Sequence, residues 1–285
     1  MDAPEVVTAL ITADLTAQSP ALLAIMRNSI RLKTQAVDET TLAVGASKLG
    51  GLPDLPSGMA WPQWKGTPMA FIAQITLADA HPYDSEGALP ATGLLSFFYD
   101  ATQQTFGGNP ADRGGWSVLY LPDGAALQRQ SAPARLPGNA RFHACAVTFA
   151  SEMTAPQEPT TDAPTLQWGN DDQKKYEAFL AALSPATNRA QPHNRLLGHP
   201  DTIQDDMRGQ CALVTNGINV ETDANNPRAA GLLKGALNWR LLLQVDSDPN
   251  AGMQWASSGM LYYWIEADAL KAAHFDNTWL ILQSE

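Results

Sequence analysis

Two stretches of this chain carry the same order of features, and that order leaves few folds open. MAFIAQI (Met69 to Ile75) and WRLLLQV (Trp239 to Val245) are apolar runs with a glutamine in sixth place. A polar loop follows each, and then a glycine opens an aromatic run: GLLSFFYD from Gly93 and GMLYYWIE from Gly259. Both aromatic runs close on an acid, Asp100 and Glu266. Short apolar runs set between glycine and proline clusters read as strands and turns. In a strand, Ile72 and Gln74 share a face, as do Leu242 and Gln244. The two glutamines are therefore expected at equivalent places in two related β units.

The remaining apolar runs extend this pattern. WSVLYL, RFHACAVTF and TWLILQ are further strand candidates. Helices are expected at the periphery. In the first forty residues Val7, Leu10, Ile11 and Leu15 fall at helical spacing. SPALLAIMRNSIRLK then offers Ser19 as N-cap, Pro20 at the first helical position, and a stripe of Leu22, Leu23, Met26 and Ile30. A second helix is expected over about 170–184, with Asn170 and Gln173 forming a capping box and Ser184-Pro185 ending it. A third spans about 266–275. The expected fold class is α+β, mainly β: antiparallel sheets in two pseudo-repeated units within one domain. Residues 1–40 form a helical segment, 42–150 the first β unit, 151–169 a linker loop and 170–285 a helix plus the second unit.

The loop ahead of the first glutamine strand, KLGGLPDLPSGMAWPQWKGTP, needs its own account. Pro53, Pro56 and Pro62 fix φ, while Gly50, Gly51 and Gly58 permit turns closed to other residues. Such a segment orders itself without regular hydrogen bonding, with Trp61 and Trp64 as apolar anchors. Gln74 reads best as a buried amide serving neighbouring backbone groups, because an unpaired one would cost about 1–3 kcal/mol. The other reading makes it a ligand contact.

Charge restricts the partners. The net charge of −11 argues against a phosphate-backbone partner and is compatible with a basic protein, whose association such a field accelerates; the plainer reading is that the acidity keeps the protein soluble. The N-terminus carries acid where a signal peptide would carry lysine or arginine, and no run approaches the roughly 18 apolar residues of a membrane span. A cytoplasmic protein with reduced thiols at Cys145 and Cys211 is expected, with neither nucleic acid nor membrane as partner.

Few residues suggest chemistry. In DSDPN, Asp246, Asp248 and Asn250 alternate like the first ligands of a calcium loop, and Asp205 and Asp206 stand in reserve. Ala251 and Ser257 occupy the places of the turn glycine and the bidentate glutamate, so a solvated turn is the preferred reading and no metal is expected. His143 and Cys145 would share a strand face but have too few companions for zinc. His193 and His199 read as loop residues near Arg195. Nucleophile elbows, HExxH, Walker and GxGxxG motifs do not occur. The aromatic rows read as core, and an exposed row would instead form a contact platform.

GGLPDLPSGMAWP, FIAQI, LPATGLLSFFYD, GHPDTIQDDM and LLLQVDSD…MQWASSGMLYYWI together resemble the YwqG-like family, also called DUF1963, a domain of unknown function. The resemblance implies a mostly β architecture, no established activity and no cofactor. It also implies bacterial relatives found near toxin genes, hence an immunity-like role. Where the family shows WGDaG this chain has WASSG, with Ser257 at the aspartate position. The expectation is a binding protein without catalytic activity whose partner is a basic protein such as a toxin. The alternatives are a small-ligand or carbohydrate-binding module and a hydrolase. Candidate contact residues are Trp61, Gln74, Gln204, Gln244, Asp246, Asp248 and Trp255. A ligand module would show a concave pocket joining the 50–64 loop to the 246–257 loop.

Overall fold

The structure is a computed structural model that describes residues 3–183, 191–223 and 225–285. Ten strands form one antiparallel sheet: β1 (Arg27–Ala36), β2 (Lys48–Leu49), β3 (Ala70–Thr76), β4 (Leu94–Tyr99), β5 (Trp116–Leu121), β6 (Cys145–Thr154), β7 (Asn194–Leu197), β8 (Trp239–Asp246), β9 (Met260–Glu266) and β10 (Trp279–Gln283). Their order is β10-β9-β8-β7-β1-β6-β2-β3-β4-β5. It is palindromic about the β1–β6 pair, which is joined from Arg27↔Thr154 to Ala36↔Cys145. On one side stand β2, β3, β4 and β5; on the other, β7, β8, β9 and β10. The two expected β units are thus halves of one sheet related by an approximate twofold axis between β1 and β6.

The equivalence reaches individual atoms. The β3–β4 register shifts between Phe71 and Ala73, and the β8–β9 register shifts between Leu241 and Leu243, so both glutamine strands carry a bulge two residues before the glutamine. Leu77 N donates to Gly93 O, and Ser247 N donates to Gly259 O. Both glycines lack a side chain for the same reason. A Cβ on Gly93 would stand 2.8 Å from Leu121 O, and one on Gly259 2.6 Å from Gln283 O, and those two carbonyls occupy matching places on β5 and β10. The sheet curls until its edge strands meet. Trp116 and Trp279 pack edge to face at 4.7 Å. Trp116 Nε1 donates to Thr278 O and Trp279 Nε1 to Gly107 O, which uses polar groups an open edge would leave unpaired. Across the axis, Phe97 and Tyr263, which hold equivalent places, touch ring to ring at 5.2 Å.

The helices lie outside the sheet, as expected, but the N-terminal expectation fails in part. α1 (Ala3–Thr12) buries Val6 and Leu10, whereas Val7 and Ile11 of the expected stripe are exposed. α2 (Ser19–Ile25) stops before Met26, and RNSIRLKTQA continues as β1. Ser19 is no cap, since its hydroxyl donates to Leu15 O. Strand pairing on both edges, to β6 and to β7, overrides the helical spacing of Ile30. The expected linker 151–169 likewise begins as the end of β6.

α3 (Asp172–Leu183) lies where a helix was expected, and Tyr176, Phe179 and Leu183 pack on α1 and α2. Its N-terminus lacks the Asn170–Gln173 box. Asp172 instead accepts from Gly169 N and from Gln18 Nε2. Ser184 and Pro185 lie outside the described residues. α4 (Met207–Val214) is capped by Asp206, and α5 (Ala267–Lys271) occupies part of the third helical region. Among the described residues no helix is long and apolar enough to cross a membrane.

Candidate binding site

Each glutamine sits in a matching knot of polar groups. Gln74 Oε1 accepts from Asp54 N at 2.8 Å, while its Nε2 donates to Ala46 O and to Asp54 Oδ2. Gln244 Oε1 accepts from Asp201 N at 2.8 Å, while its Nε2 donates to His193 O and to Asp201 Oδ2. A cation completes each knot. Lys48 Nζ lies 3.4 Å from Asp54 and 3.1 Å from Glu39. Arg195 Nη2 lies 2.6 Å from Asp201, and its Nε is 3.2 Å from Glu152 Oε1 in a contact without hydrogen-bond geometry. Both glutamines are fully buried, so their surroundings are those of structural amides.

These knots fix the protonation of their acids. Burial pushes the Asp201 carboxyl up, but the Arg195 charge and then His193 and Gln244 outweigh it and hold it well below the usual carboxylate range. At Asp54 burial is likewise overcome, by donors from Arg129, Gly45 and Gln74 and by the Lys48 charge. Burial lowers Lys48, against the pull of Asp54 and Glu39. The sequence signal for these acids was present: LGGLPD (Leu49–Asp54) and LLGHPD (Leu196–Asp201) are two copies of one turn. Gly50 and Leu197 hold φ +62° and +59°, followed by Gly51 and Gly198 at +72° and +74°. Leu197 keeps a left-handed backbone that glycine takes freely.

The other candidate residues are held mostly by scaffold bonds. Asp246 accepts from His193 N, and its own N–H donates to Asn194 Oδ1. Asp248, fully buried, accepts from Thr34 Oγ1, Asn194 Nδ2 and Asn250 N. The DSDPN turn is thus divided: Asp246 and Asp248 are buried, while Pro249 and Asn250 are exposed to solvent. Gln204 is exposed and donates to Ser284 O. Trp255 is fully buried, donates to Asp246 O and packs on Phe142 at 5.5 Å, so it offers no face to solvent. His143 lies in a loop just before β6, not on a strand face with Cys145. Burial pushes the Cys145 thiol up to about 11 and the Cys211 thiol well above its ordinary value. Buried, protonated thiols make poor nucleophiles.

Trp61 is the exception. It is half-buried, its Nε1 donates to Met69 O, and it packs edge-on against Phe98 at 5.8 Å. Its ring borders a cleft of about 350 Å³ with Leu52, Phe71, Leu136 and Phe142, and Glu39 and Arg141 stand at the margin. The far wall comes from 131–142 rather than from the 246–257 loop, because Phe142 stands in front of Trp255. The proline- and glycine-rich loop therefore holds an aromatic ring half in and half out of an apolar hollow. A site of this size, mostly apolar with a few charged groups at its margin, has the form of a binding pocket.

Fold and site together define a duplicated, mainly β scaffold carrying an apolar cleft. The family model described as Domain of unknown function (DUF1963) matches residues 47–284, and the chain belongs to that family. No curated protein matches it.

Proposed function

We propose that this chain is a non-enzymatic binding protein that receives an apolar side chain of a basic protein partner in the Trp61 cleft, consistent with an immunity-like role. The observation that carries this reading is the contrast between Trp61 and the other candidates. The buried acids, amides and thiols are committed to the scaffold, while Trp61 keeps an accessible ring beside an apolar cleft. Aromatic anchors in pockets dominate binding energy at protein interfaces. The charge of −11 supplies the long-range attraction, and exposed acids such as Asp38, Asp123, Glu158, Glu177, Glu266 and Asp268 carry it outward.

The test is capture from the native host, comparing the wild type with Trp61→Ala at low and high salt. The expected result is one basic protein retained by the wild type at low salt, released by high salt and lost from the folded Trp61→Ala variant. A partner bound equally by both forms would refute the role of the cleft. Turnover of ester, phosphate or glycoside substrates would refute the non-enzymatic reading. The cleft volume favours a second reading, a small single-ring ligand, which saturable quenching of tryptophan fluorescence by indole analogues would support.

A further inference from the structure

The far wall of the Trp61 cleft comes from the longest stretch of this acidic chain that has no acid. From Gly124 to Ser151 the sequence carries Arg129, Arg135 and Arg141 and neither aspartate nor glutamate. Two of these arginines stand apart from the cleft's contents. Arg129 is spent on the scaffold, with Nε 3.0 Å from Asp54 Oδ1 and Nη1 and Nη2 donating to Glu39 O and Leu42 O. Arg135 is exposed beside the buried Leu136.

Arg141 lies on the lining of the cleft itself. Its Nε donates to Leu136 O at 3.3 Å, and its Nη2 donates to Pro133 O and Leu136 O at 3.1 and 3.2 Å. Leu136 lines the same cleft, so these bonds tie the guanidinium to the wall rather than let it swing into solvent. The residue is nonetheless exposed, and it has no ion pair among the described residues. Glu39, the one acid on the lining, is not available to it. Glu39 Oε1 accepts from Leu52 N at 2.7 Å and from Lys48 Nζ at 3.1 Å. With Asp54, Lys48 and Arg129 it forms a set of two acids and two cations that carries no net charge. Arg141 is therefore the one uncompensated charge on the rim.

We infer that the apolar side chain received by the cleft has a carboxylate next to it, which pairs with Arg141. This rests on the cleft being the docking place for a protein partner, because carboxylates are the anions an unmodified protein offers: an acidic neighbour in its sequence, or its own C-terminus. A guanidinium is the cation best matched to that group, and one already held in place loses little freedom on pairing. The two charge effects act at different range. The overall negative field draws a basic partner from a distance, whereas Arg141 acts only at contact, within a Debye length of roughly 10 Å, and so fixes which residue enters the cleft.

The test is an NMR titration at low salt, read on the phenyl resonances of three probes: N-acetylphenylalanine, its C-terminal amide, and that amide extended by an N-terminal aspartate. At least one of the two acids is expected to bind about three- to fivefold tighter than the plain amide, and which of them does so separates a C-terminal from a side-chain carboxylate. The preference should shrink at high salt, vanish in Arg141→Gln and survive in part in Arg141→Lys. A mere loosening of the 133–141 turn would weaken all three probes alike and leave their ratio unchanged, which would overturn the role of Arg141. Equal binding of the three by the wild type, lost in Trp61→Ala, would overturn the carboxylate and leave the cleft standing. Binding by none, or binding that persists in a folded Trp61→Ala variant, would overturn the cleft and the carboxylate with it.

Discussion

Removing either glutamine tests the scaffold directly. In Gln244→Ala, Asp201 N–H and His193 C=O lose the partner they now share, and Asp201 loses a donor. An unsatisfied buried group costs about 1–3 kcal/mol, so two of them cost roughly 2–6 kcal/mol, with about 3 kcal/mol expected once water reaches part of the site. Gln74→Ala strips Asp54 N–H and Ala46 C=O in the same way, and a similar loss is expected. Because the two amides share no partner, the double variant should lose the sum to within about 0.5 kcal/mol. Urea unfolding followed by circular dichroism and tryptophan fluorescence, with an unchanged slope, measures all three. A loss below about 1 kcal/mol for either, or a gap above about 2 kcal/mol between them, would refute the claim that the knots are equivalent and structural.

Gln244→Glu sharpens the test. It sets a new carboxyl beside the Asp201 carboxylate, so the folded state raises the pKa of the new group above the unfolded value of about 4.3. The electrostatic part of its cost is then absent well below that pH and grows as pH rises to neutral, while the loss of one of the two Nε2 donations remains at every pH.

Two further expectations rest on separate features. Gly93→Ala and Gly259→Ala each drive a Cβ to within 2.8 and 2.6 Å of a carbonyl on the neighbouring edge strand, so each should lose about 2 kcal/mol or more in thermal or urea unfolding, whereas Gly138→Ala, whose Cβ meets nothing and whose backbone is not left-handed, should lose much less. For His199, burial sets the folded pKa at about 4 against about 6.5 unfolded, so the unfolded chain binds the extra proton between those values. Stability should hold above pH 6.5 and fall by on the order of 3 kcal/mol toward pH 4, and His199→Gln should flatten that part of the profile.

What the sequence could tell followed from local chemistry. A glutamine inside an apolar run must find partners, and a glycine ahead of an aromatic strand signals a close approach. Both facts hold twice, so the duplication was legible before any coordinates. The doubled LGGLPD and LLGHPD turns carried the knot acids Asp54 and Asp201, and only their pairing with distant glutamines made that role visible. β1 was illegible because RNSIRLKTQA gains its strand from two neighbours, β6 and β7, and not from its own pattern. Trp255 and Trp61 looked alike in sequence, yet Phe142, arriving from another part of the chain, buries one and leaves the other at a cleft. Local pattern determines which residues must be satisfied; which partner satisfies them, and which ring stays in reach of solvent, depends on segments far apart in the chain, and only the tertiary structure decides that.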